Sequence, residues 1–308
     1  LCALSGGVDS GVAYKAAESL GRRLFGIFVD TGWYREQDAA NVQANFPQEQ
    51  VYCVDASESF YTALEAIPYP TEGSLTDREY AYYDRVRRVI GVRFIEVFLE
   101  AAAERQLRPV VLIQGTNAAD IVESDTGLKA HHNVGGLPDR LGVDIVEPLA
   151  GLYKFEIREL ARHIGLPDEI AYRQPFPGPG LAIRTWGKLS RDDAPPLRRA
   201  NAILEEVMQT HYPRHADRPC QYYAALAKLP STGLMGDSRV IGFALIVRMV
   251  TSRQRESYAT LGVFEPTKAF RDELCHRLTT EVTMPDGTPF VRVFYEWTGK
   301  PPSTTEPH

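Results

Sequence analysis

Leu1-Cys2-Ala3-Leu4 followed by Ser5-Gly6-Gly7-Val8-Asp9-Ser10 is the stretch from which the rest of the chain is read. A short apolar strand runs into a Gly-Gly turn and then into Gly11-Val12-Ala13-Tyr14-Lys15-Ala16-Ala17, whose small and apolar residues predict an opening helix. The strand sets the loop at the carboxyl edge of a sheet. Gly6 and Gly7 admit backbone angles barred to other residues, so consecutive N–H groups can turn inward as an anion cradle, and the helix adds its positive end. The loop lacks the terminal Gly-Lys-Ser/Thr of the kinase and GTPase type, and no lysine stands where a β- or γ-phosphate would need one. A polyphosphate cradle of another kind is the leading reading, with a purely structural turn as the alternative.

The whole chain sets bounds on that reading. Its 308 residues point to two domains, and 44% apolar content is ample for their cores. A formal net charge of −6 argues against a nucleic-acid partner, which needs clustered Lys and Arg. Cys2, Cys53, Cys220 and Cys275 form no Cys-x-x-Cys pair, so neither a zinc site nor a disulfide framework is indicated, and a reducing cytoplasm fits. The apolar run from Val240 to Val247 is far too short to span a bilayer, and no signal peptide is expected. The chain begins without Met inside the expected first strand, so further residues are expected upstream.

Strand and helix alternate along the first half. Leu24 to Val29, Val51 to Val54 and Val110 to Ile113 are nearly continuous apolar runs of the kind buried in a parallel sheet, and Glu147 closes one more. Helices are expected from Glu36 to Asn45, from a cap at Ser57 or Ser59 to Glu65, from Val86 to Glu104, and from Lys154 to Ile164 with Gly165 at its end. Ile67 to Asp84, rich in Pro, Gly, Thr and Tyr, is expected to be a surface excursion. The fold class is α/β, a doubly wound, mainly parallel sheet. In such sheets ligands collect at the carboxyl edge, where Gln114-Gly115-Thr116 and Asp120 should join the Ser5–Ser10 loop. Lys129 to Pro138 is polar, holds the Gly135-Gly136 pair and reads as a lid; its adjacent His131 and His132 lack the spacing of a zinc site.

From Arg173 to Arg184 the composition shifts sharply, with three prolines and two glycines between Pro175 and Gly180. This stretch is expected to be the hinge between a domain of residues 1–176 and a smaller α+β domain of residues 177–308. In the latter a helix is expected over Leu197 to Met208, strands over Tyr222 to Leu226, Arg239 to Met249 and Val291 to Trp297, and a second helix from Pro266 to Glu281. Met284-Pro285-Asp286-Gly287 is a turn, and the tail from Gly299 is too Pro-rich to fold alone.

SGGVDS itself resembles the loop of the ATP pyrophosphatases, which cleave ATP between its α and β phosphates. FVDTG followed by Arg35, QGT followed by DIVES, KAHHNVGGLP, PFPGPGLAIR, LMGDSR and KPPSTTE follow it in the order and rough spacing of the GMP synthetases. The resemblance spans nearly the whole chain. It implies an adenine nucleotide alpha hydrolase-like ATP-pyrophosphatase domain followed by a dimerisation domain, and hence a homodimer. The glutamine amidotransferase domain that many members carry upstream has no counterpart in these residues, so a separate amidotransferase subunit or an upstream domain is the implied partner.

The chemistry so implied is ATP-dependent adenylation of XMP at O2 and displacement of AMP by ammonia. Ser5, Gly6, Gly7, Val8, Asp9 and Ser10 would hold the departing pyrophosphate; Asp9 and Asp120 would bind Mg²⁺; Val29 and Gly115 would flank the adenine; Lys129 would neutralise the transferring phosphoryl group. Arg35, Arg239, Lys300 and Glu306 would bind the acceptor nucleotide. Each residue has a plainer alternative: Asp9 as a helix N-cap, Lys129 as a solvated lysine, the acceptor residues as surface charges. Asn117-Ala118-Ala119, Gln174, Gly11, the Glu306-Pro307-His308 ending and about ten extra residues from Thr71 to Tyr83 depart from the family pattern. They leave open a relative acting on another purine-like nucleotide, and a nucleotide-binding subunit without catalysis.

Overall fold

The structure, a computed structural model, describes residues 1–21, 23–118, 120–121, 142–252, 261–304 and 306–308. Two compact units divide the chain. The first comprises Leu1–Gly32, Gln37–Phe60 and Arg87–Gly178, the second Trp33–Glu36, Tyr61–Val86 and Pro179–His308. The main division, at Gly178, falls within the Pro-Gly stretch. Two short excursions from the N-terminal half also belong to the second unit, a feature that a single cut of the chain does not contain.

In the first unit, β1 (Cys2–Leu4), β2 (Gly26–Asp30), β3 (Val51–Asp55), β4 (Val111–Ile113) and β5 (Asp144–Val146) form one sheet in the order β3-β2-β1-β4-β5. All four pairings are parallel. Parallel strands need crossovers, and the helices supply them: α1 (Val8–Glu18), α2 (Asp38–Asn45), α3 (Ser57–Glu65) and α4 (Leu75–Glu104), with α5 (Lys154–His163) and α6 (Asp168–Ala171) after β5. Ile27, Phe28 and Val29 of β2 are fully buried, as their continuous apolar run requires. The chain turns in opposite senses from β1 and β4, so the two strands that carry the expected site loops are neighbours at the switch point.

Between β3 and β4 the local structure departs from expectation at two helix starts. Neither Ser57 nor Ser59 caps α3; the Asp55 carboxylate does so, accepting the Ser57 N–H at 3.0 Å. The expected surface excursion is half helix: α4 starts at Leu75, eleven residues before the apolar stripe from Val86. Ser74 is its cap, with Oγ accepting the Asp77 N–H at 3.2 Å and donating to the Asp77 carboxylate at 2.6 Å. Two of the four tyrosines that suggested a loop are core residues, whereas Tyr80 is exposed. Tyr82 and Tyr83 are buried, and the Tyr82 hydroxyl accepts the Leu189 N–H at 3.0 Å within the second unit.

The second unit holds β6 (Thr185–Trp186), β7 (Gln221–Met235), β8 (Ser238–Ser252), β9 (Leu261–Val263) and β10 (Phe290–Tyr295). The long antiparallel hairpin of β7 and β8 is its spine, with β10 parallel to β8, β6 parallel to β7, and β9 antiparallel to β8. Helices α7 (Ala194–His211) and α8 (Lys268–Glu281) complete an α+β unit. Asn201 binds α7 to β7: its amide donates to the carbonyls of Leu197 and Ala224 at 2.8 and 2.9 Å and accepts the Ala224 N–H at 3.1 Å. Downstream of Pro179 the expected hinge is a buried 3₁₀ turn, Gly180–Arg184. Gly180 has φ +68°, and a Cβ there would lie 2.5 Å from the Trp33 carbonyl oxygen, so only glycine allows Leu181 to donate to that oxygen at 2.7 Å.

Candidate active site

The Ser5–Ser10 loop is held by its own serines. Ser10 Oγ accepts the Ser5 N–H at 3.1 Å and lies 3.2 Å from both Ser5 Oγ and the Gly7 carbonyl, while Gly7 N–H donates to Ser5 Oγ at 3.3 Å. Gly6 turns the chain at φ +70°. Gly7 is the N-cap of α1 and offers no side chain, so the N–H groups of the first turn lack capping partners and remain donors for an anion.

Asp9 is therefore not the cap. Its Oδ2 pairs with the Lys154 ammonium, and its Oδ1 is buried without a hydrogen-bond partner. A buried carboxylate oxygen with an open lone pair beside an anion cradle is a fitting ligand for a hard divalent cation. Lys154 was not among the expected site residues. It opens α5, where a cation opposes the helix dipole, and that misplaced charge is the signal the sequence carried.

The β4 loop closes on the same place. A Cβ on Gly115 would lie 2.7 Å from the backbone carbon of Asp9 and from the backbone nitrogen of Ser10. Glycine here lets the two loops touch backbone to backbone. Thr116 Oγ1 donates to Glu147 Oε1 at 2.5 Å. Asn117 and Asp120 cap each other: the Asp120 carboxylate accepts the Asn117 N–H, and Asn117 Oδ1 accepts the Asp120 N–H, both at 3.2 Å. That reciprocal bond gives Asn117 a local structural role. Val29 is fully buried, which leaves its main chain as the part able to meet a base. Lys129 lies outside the described residues, as do Glu123, Ser124 and the Ala130 to Pro138 stretch.

The residues expected at the acceptor all belong to the second unit. Lys300 is fixed through its main chain, donating to and accepting from Leu261 at 2.9 Å each way. Glu306 accepts Arg184 Nε and Nη2 and Gln221 Nε2, each at 2.8 Å. Its carboxylate anchors the tail. Arg184 is only 2% exposed and lies over the Tyr223 ring at 4.1 Å; burial first, then the Glu306 charge, raises the Tyr223 hydroxyl well above its ordinary pKa. Buried Arg248 donates to the carbonyls of Thr298 and Thr304 at 2.9 and 2.8 Å and pairs with Glu296, a second anchor for the same tail. Arg35 is half-buried in the Trp33–Glu36 excursion. Arg239 is exposed opposite Leu234, near the hairpin turn, whereas Gln221 pairs with Val250. Eleven strand residues, about 36 Å, separate Arg239 from Val250, so one chain does not bring Arg239 to Glu306.

A parallel sheet with a glycine-turned anion loop after its central strand, an acidic residue at the loop end and no phosphate-loop lysine defines a nucleotide-binding unit of the ATP-pyrophosphatase class. Similarity to known proteins narrows this. Residues 206–307 match the family described as GMP synthase C terminal domain. A subunit of the glutamine-hydrolysing GMP synthase of Methanopyrus kandleri is 40% identical, over 99% of this chain and 92% of its own length. Its counterpart in Methanosphaerula palustris is 41% identical over 99% and 91%, and that of Pyrococcus abyssi 39% over 99% and 92%. Among solved structures, NMN synthetase from Francisella tularensis is similar with a TM-score of 0.39 and 20% identity, over 58% of this chain and 66% of that one. The chain belongs to the GMP synthase family.

Proposed function

We propose that the chain is the synthetase subunit of a two-part ligase, converting XMP to GMP through an adenylyl-XMP intermediate with release of AMP and pyrophosphate. The observation that carries this reading is the loop with its uncapped α1 N–H donors beside the Asp9–Lys154 pair. In the reaction, charge develops on the departing pyrophosphate, and donors already aimed there stabilise it without reorganisation. Lys154 sits where it can add a positive charge, and Asp9 keeps it oriented. Asp9, with its open oxygen, and Asp120 are the residues that would hold Mg²⁺, which when bound neutralises phosphate charge.

Ammonia reaches the site from a separate glutamine amidotransferase, the partner implied by relatives that are each named as one subunit of a glutamine-hydrolysing enzyme. Cys2, Cys53 and Cys275 are poor glutaminase nucleophiles: burial pushes the Cys2 thiol up to about 12 and raises those of Cys53 and Cys275, the reverse of what a nucleophilic thiolate needs. Lys300 and Arg35 contribute to XMP binding. A homodimer through the β7–β8 hairpin is favoured by Leu234 and Ile241, exposed on the face that carries Arg239. A second copy is then the route by which Arg239 reaches an acceptor. No described helix is long and apolar enough to cross a membrane, in keeping with work in the cytoplasm. Incubation with ATP, Mg²⁺, ammonium and XMP, followed by chromatography of nucleotides, should give AMP and GMP in equal amounts; absence of GMP with the amidotransferase also present rejects the reading.

A further inference from the structure

Arg173 follows α6 and directs its guanidinium into the first unit. Its side chain is 9% exposed and pairs at 2.6 Å with Asp38 of α2, itself 2% exposed. Arg173 Nη1 donates to the carbonyl of Ser5 at 3.1 Å. The same nitrogen lies 3.4 and 3.5 Å from where side chains on Gly6 and Gly7 would begin. The Phe176 ring lies 5.7 Å from the guanidinium carbon. A buried ion pair thus lies against the loop at its two glycines.

A trans peptide is planar, with its C=O and N–H pointing in opposite directions. A donor that fixes the Ser5 carbonyl on one side therefore fixes the Gly6 N–H on the opposite side. We infer that Arg173, held by Asp38, is a positioning residue of the pyrophosphate loop: it sets the Ser5–Gly6 peptide plane and so aims the Gly6 N–H at the departing anion. The inference rests on the proposed pyrophosphate role of the loop. Asp38 balances the guanidinium charge, so the effect is geometric. A lysine, with a point charge and no planar fork, cannot hold Asp38 and the Ser5 carbonyl together in this arrangement.

The test uses inorganic pyrophosphate with Mg²⁺, titrated calorimetrically into the whole protein, alongside turnover with ATP and XMP. Arg173→Lys and the double variant R173A/D38N, which removes both buried charges together, should each bind pyrophosphate at least tenfold more weakly and lose at least tenfold in kcat. The KM for XMP should be unchanged. Ethylguanidinium should restore part of the lost kcat to the double variant and none to Asp9→Asn. The double variant should lose no more than Arg173→Lys, because the two residues act as one device. Pyrophosphate binding within twofold of wild type in either variant overturns the inference, as does a wild-type protein that binds no pyrophosphate. Wild-type pyrophosphate binding without turnover of XMP rejects the proposed reaction alone, and the binding ratio still decides the role of Arg173.

Discussion

Gly115→Ala is the substitution whose outcome the geometry fixes most closely. The added methyl would meet the backbone of Asp9 and Ser10 at 2.7 Å, and reaching the 3.4 Å of ordinary contact demands a displacement of about 0.7 Å. Backbone atoms have no rotamer into which to retreat. Strand β4 cannot yield freely either, since it is paired with β1 on one side and β5 on the other. The movement therefore falls on the start of α1 and the loop that precedes it. Overpacking of this kind costs about 1–3 kcal/mol of stability. A shift approaching 1 Å in groups that stabilise a transition state costs about ten- to a hundredfold in rate. Pyrophosphate release, measured in steady state at saturating ATP and XMP, should fall by that factor with the fold retained by circular dichroism. Gly151→Ala, which meets nothing within 4 Å, is the control and should be silent. A Gly115→Ala enzyme with kcat within twofold of wild type and an unchanged Tm would refute the claim that the two loops are locked together.

Asp9→Asn should abolish pyrophosphate release by more than about a hundredfold, while the Tm falls by less than about 4 °C, because its partly exposed pair with Lys154 contributes little stability; near-normal turnover would remove Asp9 from the metal site. With glutamine as the only nitrogen source the purified chain should form no GMP, whereas ammonium should support synthesis that rises with pH as more of it becomes NH₃; nucleotide chromatography decides between these outcomes. Gly91→Ala, in the interior of α4 with open space around the position, should raise stability by about 0.5–1 kcal/mol in urea unfolding, and a loss would show that the open space is needed.

The parallel sheet was legible chiefly at its centre, where β2 is buried on both faces and reads as an unbroken apolar run from Leu24 to Val29, whereas the edge strand β5 is exposed. The loop after β1 was legible for a related reason: two adjacent glycines and flanking serines have few uses at the end of a strand. What escaped was non-local. Arg173 and Asp38 are 135 positions apart, and no local pattern marks them as a pair. The assignment of Trp33–Glu36 and Tyr61–Val86 to the second unit follows from contacts such as the Trp33 carbonyl with Leu181, which no periodicity records. The start of α4 escaped for a different reason. The Ser74-x-x-Asp77 cap was present, but a tyrosine-rich segment with nearby Pro and Gly outweighed it, although Tyr82 and Tyr83 were bound for the core. Glu306 is bound by Arg184 and Gln221, far from it in the chain, and no local pattern marks that anchoring of the tail.

Arg184 meets its carboxylate only at Glu306, 122 residues later, and Arg248 meets the Thr304 carbonyl 56 residues later. On the ribosome, at roughly 5–20 residues per second, the guanidiniums emerge well before the partners that make their burial tolerable. An unpaired charge sealed in a core costs several kcal/mol, so burial of Arg184 against Tyr223 is disfavoured by that much until Glu306 is made, whereas Arg248 already has Glu296 as its counter-charge. Packing of the Gly180–Arg184 turn is therefore completed only once Glu306 has been synthesised, and a chain terminated before that point would lack the carboxylate that makes burial of Arg184 tolerable.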